Sequence, residues 1–162
     1  MCWSFWVNTM SVLDDKRPGA RREDLECTIH PFGTLKDPMF VVVVSRYDGK
    51  YLLSRHSKRE TWETQGGHIE SGETPYQAAC RELIEESGAQ DFVLYPVCDY
   101  HGYNNFGSAD GCVFRAEITA LGSLPESEMA EVRLFDVLPE NLTYPKVTPK
   151  LFDEAFAKRS ER

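Results

Sequence analysis

The chain has 162 residues and a net charge of −8, long enough for one domain to bury a core without disulfides or a structural metal. That acidity argues against a nucleic-acid polymer held on a basic face and against anionic membrane surfaces. It also sets a polyphosphate partner at odds with the protein unless metal ions stand between them.

No apolar run reaches the roughly 18 residues of a membrane span, and the apolar start MCWSFWVNTM lacks both a basic segment and a small-residue cleavage site, so no signal peptide is read. The cysteines Cys2, Cys27, Cys80, Cys98 and Cys112 are odd in number and show no C-x-x-C spacing. They are expected as free thiols in a reducing compartment, which places the protein in the cytoplasm. Residues 1–24 are taken as an N-terminal extension, and their charged part DDKRPGARRED as a solvated loop.

A short strand is expected at 25–29, then a turn near Pro31 and Gly33. The strongest strand is 39–45, MFVVVVS, whose unbroken β-branched run points to burial on both faces. Asp48-Gly49 marks a hairpin turn, and 50–55 returns as the partner strand, leading to Trp62 and a glycine turn at Gly66-Gly67.

A helix follows: Thr74 suits the N-cap, Pro75 the first helical position, Gln77 the far side of a capping box and Gly88 the stop. At about 100° per residue, Tyr76, Ala79, Cys80, Leu83 and Ile84 share an arc expected to pack on the core, and Ala78, Glu82, Glu85 and Glu86 share the adjoining one. Strands are expected at 92–100 and 112–119, and the aromatic, glycine-rich DYHGYNNFGSADG between them as a mobile loop bordering a site. After an acidic segment, 132–137 forms a last strand. Thr148-Pro149 opens a terminal helix with Leu151, Phe152, Ala155 and Phe156 at helical spacing.

Solvated glutamates on a helix usually alternate with lysines, whereas here Glu82 and Glu86 are like charges one turn apart with Glu85 beside both. Arg81, at the edge of the cluster, cannot offset all three. A hard divalent cation, Mg²⁺ with Mn²⁺ as substitute, takes carboxylate oxygens and is completed by substrate phosphates.

The stretch GHIESGETPYQAACRELIEESGA, from Gly67 through Glu73, Arg81, Glu82, Leu83, Glu85, Glu86 and Gly88 to Ala89, resembles the signature of the Nudix hydrolase family at every defined position. The resemblance implies an α/β fold, the α/β/α sandwich with a central mixed sheet, and a single domain over 1–162. It implies an enzyme that cleaves a phosphoric anhydride bond of a small nucleotide by water attack at phosphorus. On the same ground Glu82, Glu85, Glu86 and the carbonyl of Gly67 are the expected metal ligands. Arg81 would orient one of the carboxylates, and Glu73 would stabilise the junction of loop and helix.

The resemblance implies a general base at either Glu85 or a carboxylate among Glu126, Glu128 and Glu131, of which Glu131 is favoured. Arg55 or Lys58 would meet a terminal phosphate. Trp62, Tyr103, Phe106 or Tyr144 would stack on a base, and His68 would hydrogen-bond a phosphate or a ligand carboxylate. Many family members have proline where this chain has Gln65, which leaves either a looser turn or an amide aimed at substrate.

The layout is most similar to small bacterial members acting on nucleoside triphosphates or oxidised nucleotides such as 8-oxo-dGTP, releasing the monophosphate and pyrophosphate. ADP-ribose, nucleotide sugars and dinucleoside polyphosphates are the alternative substrates, and a homodimer stays open. Isopentenyl diphosphate isomerase-like chemistry would need a histidine metal site that His30, His56, His68 and His101 do not offer by spacing. A non-catalytic nucleotide sensor would ordinarily have lost glutamates that this chain keeps.

Overall fold

The computed structural model describes residues 19–157, so Cys2, Arg17 and most of the N-terminal extension lie outside the described residues. A single 3-10 turn at Arg22–Asp24 precedes the sheet. Eight strands follow: β1 (Glu26–Pro31), β2 (Phe40–Tyr47), β3 (Lys50–His56), β4 (Trp62–Glu63), β5 (Gln65–His68), β6 (Ala89–Asn104), β7 (Gly107–Leu121) and β8 (Met129–Phe135). Helix α1 (Pro75–Ser87) lies between β5 and β6, and α2 (Thr148–Phe156) closes the described chain.

The sheet runs β1-β6-β7-β2-β3-β4, with β5 on β2 and β8 on β3. Only β2 and β7 pair in parallel among these ladders, so the sheet is mixed.

The valine run of β2 is buried on both faces, as its composition requires. Val41 and Val43 join Ala78, Ala79 and Leu83 of α1 in one apolar layer. Phe40, Val42 and Val44 join Leu151, Phe152 and Ala155 of α2 in the other. Fully burying a side chain such as Leu83 stabilises by about 1.5–3 kcal/mol relative to leaving it exposed. Helices on opposite faces of one sheet make the expected α/β/α sandwich. Among the described residues no helix is long and apolar enough to cross a membrane.

Local signals were obeyed where the chemistry is local. Asp48 and Gly49 both take positive φ in the β2–β3 turn. The Thr74–Gln77 capping box is complete, and Gly88 caps α1 in the left-handed conformation.

Three expectations are corrected. The stretch 99–111 is no loop: β6 and β7 run through it as a long hairpin, closed where Asn104 Oδ1 accepts the N–H groups of Phe106 and Gly107 at 2.8 and 3.1 Å. Gly66 and Gly67 form strand β5, opposite Val42 and Val41, rather than a turn. The buried residues of α1 are Ala78, Ala79, Glu82, Leu83 and Ser87, while Tyr76 and Ile84 are about half exposed. The helix is rotated from its apolar arc so that Glu82 faces the sheet.

β2 shares one edge between two partners, β5 along Phe40 to Val43 and β3 along Ser45 to Tyr47. Gln65 fills the fork. Its Oε1 accepts from Ser45 Oγ at 2.6 Å, and its Nε2 donates to Ser54 Oγ at 2.8 Å and to the Leu52 carbonyl at 3.3 Å. Ser54 Oγ in turn donates to the Glu86 carbonyl at 2.8 Å, one of the end carbonyls a helix cannot satisfy internally. The Gln65 amide is therefore spent inside the sheet and is not aimed at substrate.

Candidate active site

The acidic helix docks on β5 because β5 lacks side chains there. A Cβ on Gly67 would stand 2.2 Å from Glu82 Oε1, and one on Gly66 2.4 Å from the Val41 carbonyl oxygen. Gly67 thus lets the Glu82 carboxylate rest on bare backbone, and Gly66 lets β5 lie close against β2.

Arg81 is the hub of the cluster rather than its edge. It donates to both oxygens of Glu73 at 2.8 and 2.9 Å, to Glu82 Oε1 at 2.7 Å and to the His68 carbonyl at 3.0 Å, with Glu85 Oε2 at 3.6 Å. The planar fork of a guanidinium allows this spread of contacts, which an ammonium would not reproduce. Glu73 also accepts the Glu70 N–H at 3.0 Å, tying the loop to the helix, and the guanidinium holds its carboxyl below the usual range. On the far side Gly66 N–H donates to Glu86 Oε2 at 3.0 Å.

Burial governs the charge states. Glu82, 3% exposed, has its carboxyl pushed up to about 7 by desolvation against the opposing pull of Arg81. Desolvation also raises Glu85, and it raises Glu86 well above the ordinary carboxylate range with the Glu82 charge adding to it. Each would be ionised by a cation placed beside it.

These carboxylates face a cleft of about 410 Å³ lined by Glu82, Glu85, Glu86, Glu126, Ser127 and Glu128. Five carboxylates and a hydroxyl are the donor chemistry of a hard divalent cation such as Mg²⁺ or Mn²⁺. Among the described residues no three His, Cys, Asp or Glu side chains yet close on a single point. Arg81 holds Glu82, and the Gly66 N–H holds Glu86.

The second bank of the cleft is the loop before β8. Its backbone is pinned by Ser57 N–H, which donates to the Glu128 carbonyl at 2.8 Å, and Glu128 Oε2 lies 3.4 Å from His56 Nε2. Glu131 lies on β8, opposite Arg55, and does not line the cleft. Arg55 and Arg133 clamp its carboxylate at 3.2 and 2.6 Å and hold its carboxyl low, which opposes a role as base. Because β8 starts at Met129 and not at 132, Glu131 and Arg133 lie two apart in one strand and share a face.

Several other candidates fall away from the cleft. Arg55 is taken up by Glu131 and the Arg59 carbonyl. Trp62 is 4% exposed, with Phe135 edge-on at 5.1 Å and the Arg133 guanidinium over its ring at 4.7 Å, so it is a core residue and no base platform. Tyr103 stacks on His101 at the far end of the β6–β7 hairpin. Tyr144 is buried beside α2, and Phe106 lies in the β6–β7 hairpin turn. His68 sits on β5 opposite Phe40, half-buried, and contributes its carbonyl to Arg81. Ser127 was not anticipated, because nothing in its own neighbourhood marks a hydroxyl whose place depends on β8 pairing with β3.

A NUDIX domain model matches residues 35–150. The chain is 33% identical over 109 residues, 65% of its length and 67% of the other, to YtkD of Bacillus subtilis, a protein provisionally named as an 8-oxo-dGTP diphosphatase. It is 41% identical over 51 residues to an RNA pyrophosphohydrolase of Baumannia cicadellinicola, a stretch spanning only 32% of each chain. Among solved structures, a mutant form of the Bacillus subtilis pyrophosphohydrolase BsRppH superposes with a TM-score of 0.69 at 26% identity, covering 80% of this chain and 88% of that one. The cradle of Gly67, Arg81 and three helical glutamates, the sandwich that holds it and these likenesses together make the chain a member of the Nudix hydrolase family.

Proposed function

We propose that this chain is a Mg²⁺-dependent pyrophosphohydrolase that cleaves a nucleoside triphosphate or an oxidised nucleotide of the 8-oxo-dGTP kind to the monophosphate and pyrophosphate, as one domain in the cytoplasm. The observation that carries the reading is the cleft with five carboxylates on two facing banks. Glu82, Glu85, Glu86 and the Gly67 carbonyl would hold the cation, which when bound neutralises charge on the phosphoryl oxygens.

Arg81 keeps Glu82 and Glu73 in place without touching substrate. Glu128, rather than Glu131, takes the proton of the attacking water as the oxygen joins phosphorus and the anhydride P–O bond breaks; it faces the cleft and, among the described residues, carries no guanidinium clamp of the Glu131 kind. Four free thiols among the described residues suit a reducing compartment.

The test is Glu86→Gln, expected to lower kcat by orders of magnitude with an unchanged circular dichroism spectrum, pyrophosphate and phosphate being measured separately on dGTP and 8-oxo-dGTP. Wild-type turnover in the variant rules the reading out. A second reading, action on the triphosphorylated 5′ end of RNA, is favoured by the RNA pyrophosphohydrolase relatives. A triphosphorylated oligonucleotide in the same panel separates the two by kcat/KM.

A further inference from the structure

We propose that His56 is a positioning residue that orients the Glu128 carboxylate toward the cleft, an inference that rests on Glu128 being the base. His56 ends β3 at a register shift between Arg55 and His56, and such bulges re-aim a side chain. Its side chain is 9% exposed. Nδ1 accepts the Lys58 N–H at 3.1 Å, so that nitrogen keeps its lone pair and a neutral ring carries its proton on Nε2. Nε2 is the atom that lies 3.4 Å from Glu128 Oε2.

The charged groups facing the ring are Lys58 and Arg59 from its own turn and Glu128 from the loop before β8. Burial and Arg59 both hold the ring below its ordinary pKa, keeping it neutral. A neutral N–H 3.4 Å from Oε2 is placed to bias the direction of the carboxylate without adding the full positive charge that Arg55 and Arg133 place on Glu131. The Glu128 backbone is already pinned by the Ser57 N–H, while its side chain is 53% exposed, so rotation of that side chain is the freedom left for His56 to remove. One stretch before and within β8 therefore holds two carboxylates in opposite roles, one neutralised and one aimed.

A double-mutant cycle tests this with His56→Ala, Glu128→Gln and the pair, measuring kcat, KM and Tm on whichever triphosphate the wild type turns over. His56→Ala is expected to lower kcat about tenfold, in the lower range of losses for residues that orient a reactive group, with KM unchanged. It should add no further loss in the Glu128→Gln background. His56→Gln, whose amide N–H reaches toward the Nε2 position, should recover most of the rate, and His56→Asn should not; this pair also carries the test if His56→Ala fails to fold. Equal losses from His56→Ala in both backgrounds would show a structural role and overturn the proposal. Wild-type kcat in His56→Ala beside a crippled Glu128→Gln overturns it while leaving the base assignment standing. Wild-type kcat in Glu128→Gln removes the base assignment, and the positioning role with it.

Discussion

Gly67→Ala asks whether the bare backbone of β5 sets the place of the acidic cluster. The added Cβ would meet Glu82 Oε1 at 2.2 Å and its Cδ at 2.5 Å, against an ordinary contact distance of 3.4 Å or more. The carboxylate must then retreat by about 1.2 Å, and a misplacement of about 1 Å in a reacting constellation costs roughly 10²-fold in rate. The same retreat strains the 2.7 Å pair with Arg81. Because the obstacle is the end of a side chain, the fold should survive with a Tm within a few degrees of wild type. Steady-state kinetics with calorimetry read both quantities, and the expectation is a kcat lowered about 10²-fold. A variant with wild-type kcat and metal dependence would show that the seat of Glu82 on Gly67 has no bearing on catalysis.

The neighbouring Gly66→Ala should behave in the opposite way. Its Cβ would lie 2.4 Å from the Val41 carbonyl oxygen, and backbone cannot yield, so overpacking of about 1–3 kcal/mol should appear as a lower urea midpoint. Gln65→Leu removes the amide from the fork and leaves the Ser45 and Ser54 hydroxyls short of a partner, costing about 1–3 kcal/mol in the same assay; an unchanged midpoint would refute the role given to that network. Glu73, held low by Arg81, contributes stability that is present above the unfolded carboxyl pKa of about 4.3 and is lost as pH falls through its lower folded value. The Tm gap between wild type and Glu73→Gln should therefore be open at pH 7 and close below about pH 4, and a gap independent of pH would contradict the assignment.

Much of the helix was legible because its determinants are local. Thr74, Pro75, Gln77 and Gly88 each act within one turn of their own position, and each sits where such residues belong. What required the folded chain was pairing over long separations. Arg81 becomes a hub only once β5 brings the His68 carbonyl and Gly67 under the helix. Tyr76 and Ile84 looked apolar enough to pack, yet the helix turns Glu82 inward instead, into the space left by Gly67 on another element. Glycine and polar aromatics between 99 and 111 concealed two strands, since a hairpin with one face open to solvent needs no hydrophobic run. Trp62 could not be told from a stacking platform until Phe135 and Arg133 of β8 covered it.

The burial of β2 on both sides carries one more consequence. Phe40, Val42 and Val44 belong to the layer under α2, and Val41 and Val43 to the layer under α1, so both layers rest on one strand. The strand binds the two halves into one cooperative unit, and its pairing with Gly66 and Gly67 extends that unit to the floor beneath Glu82 and Glu86. The acidic floor is thus tied, through β5, to the strand that both apolar layers share.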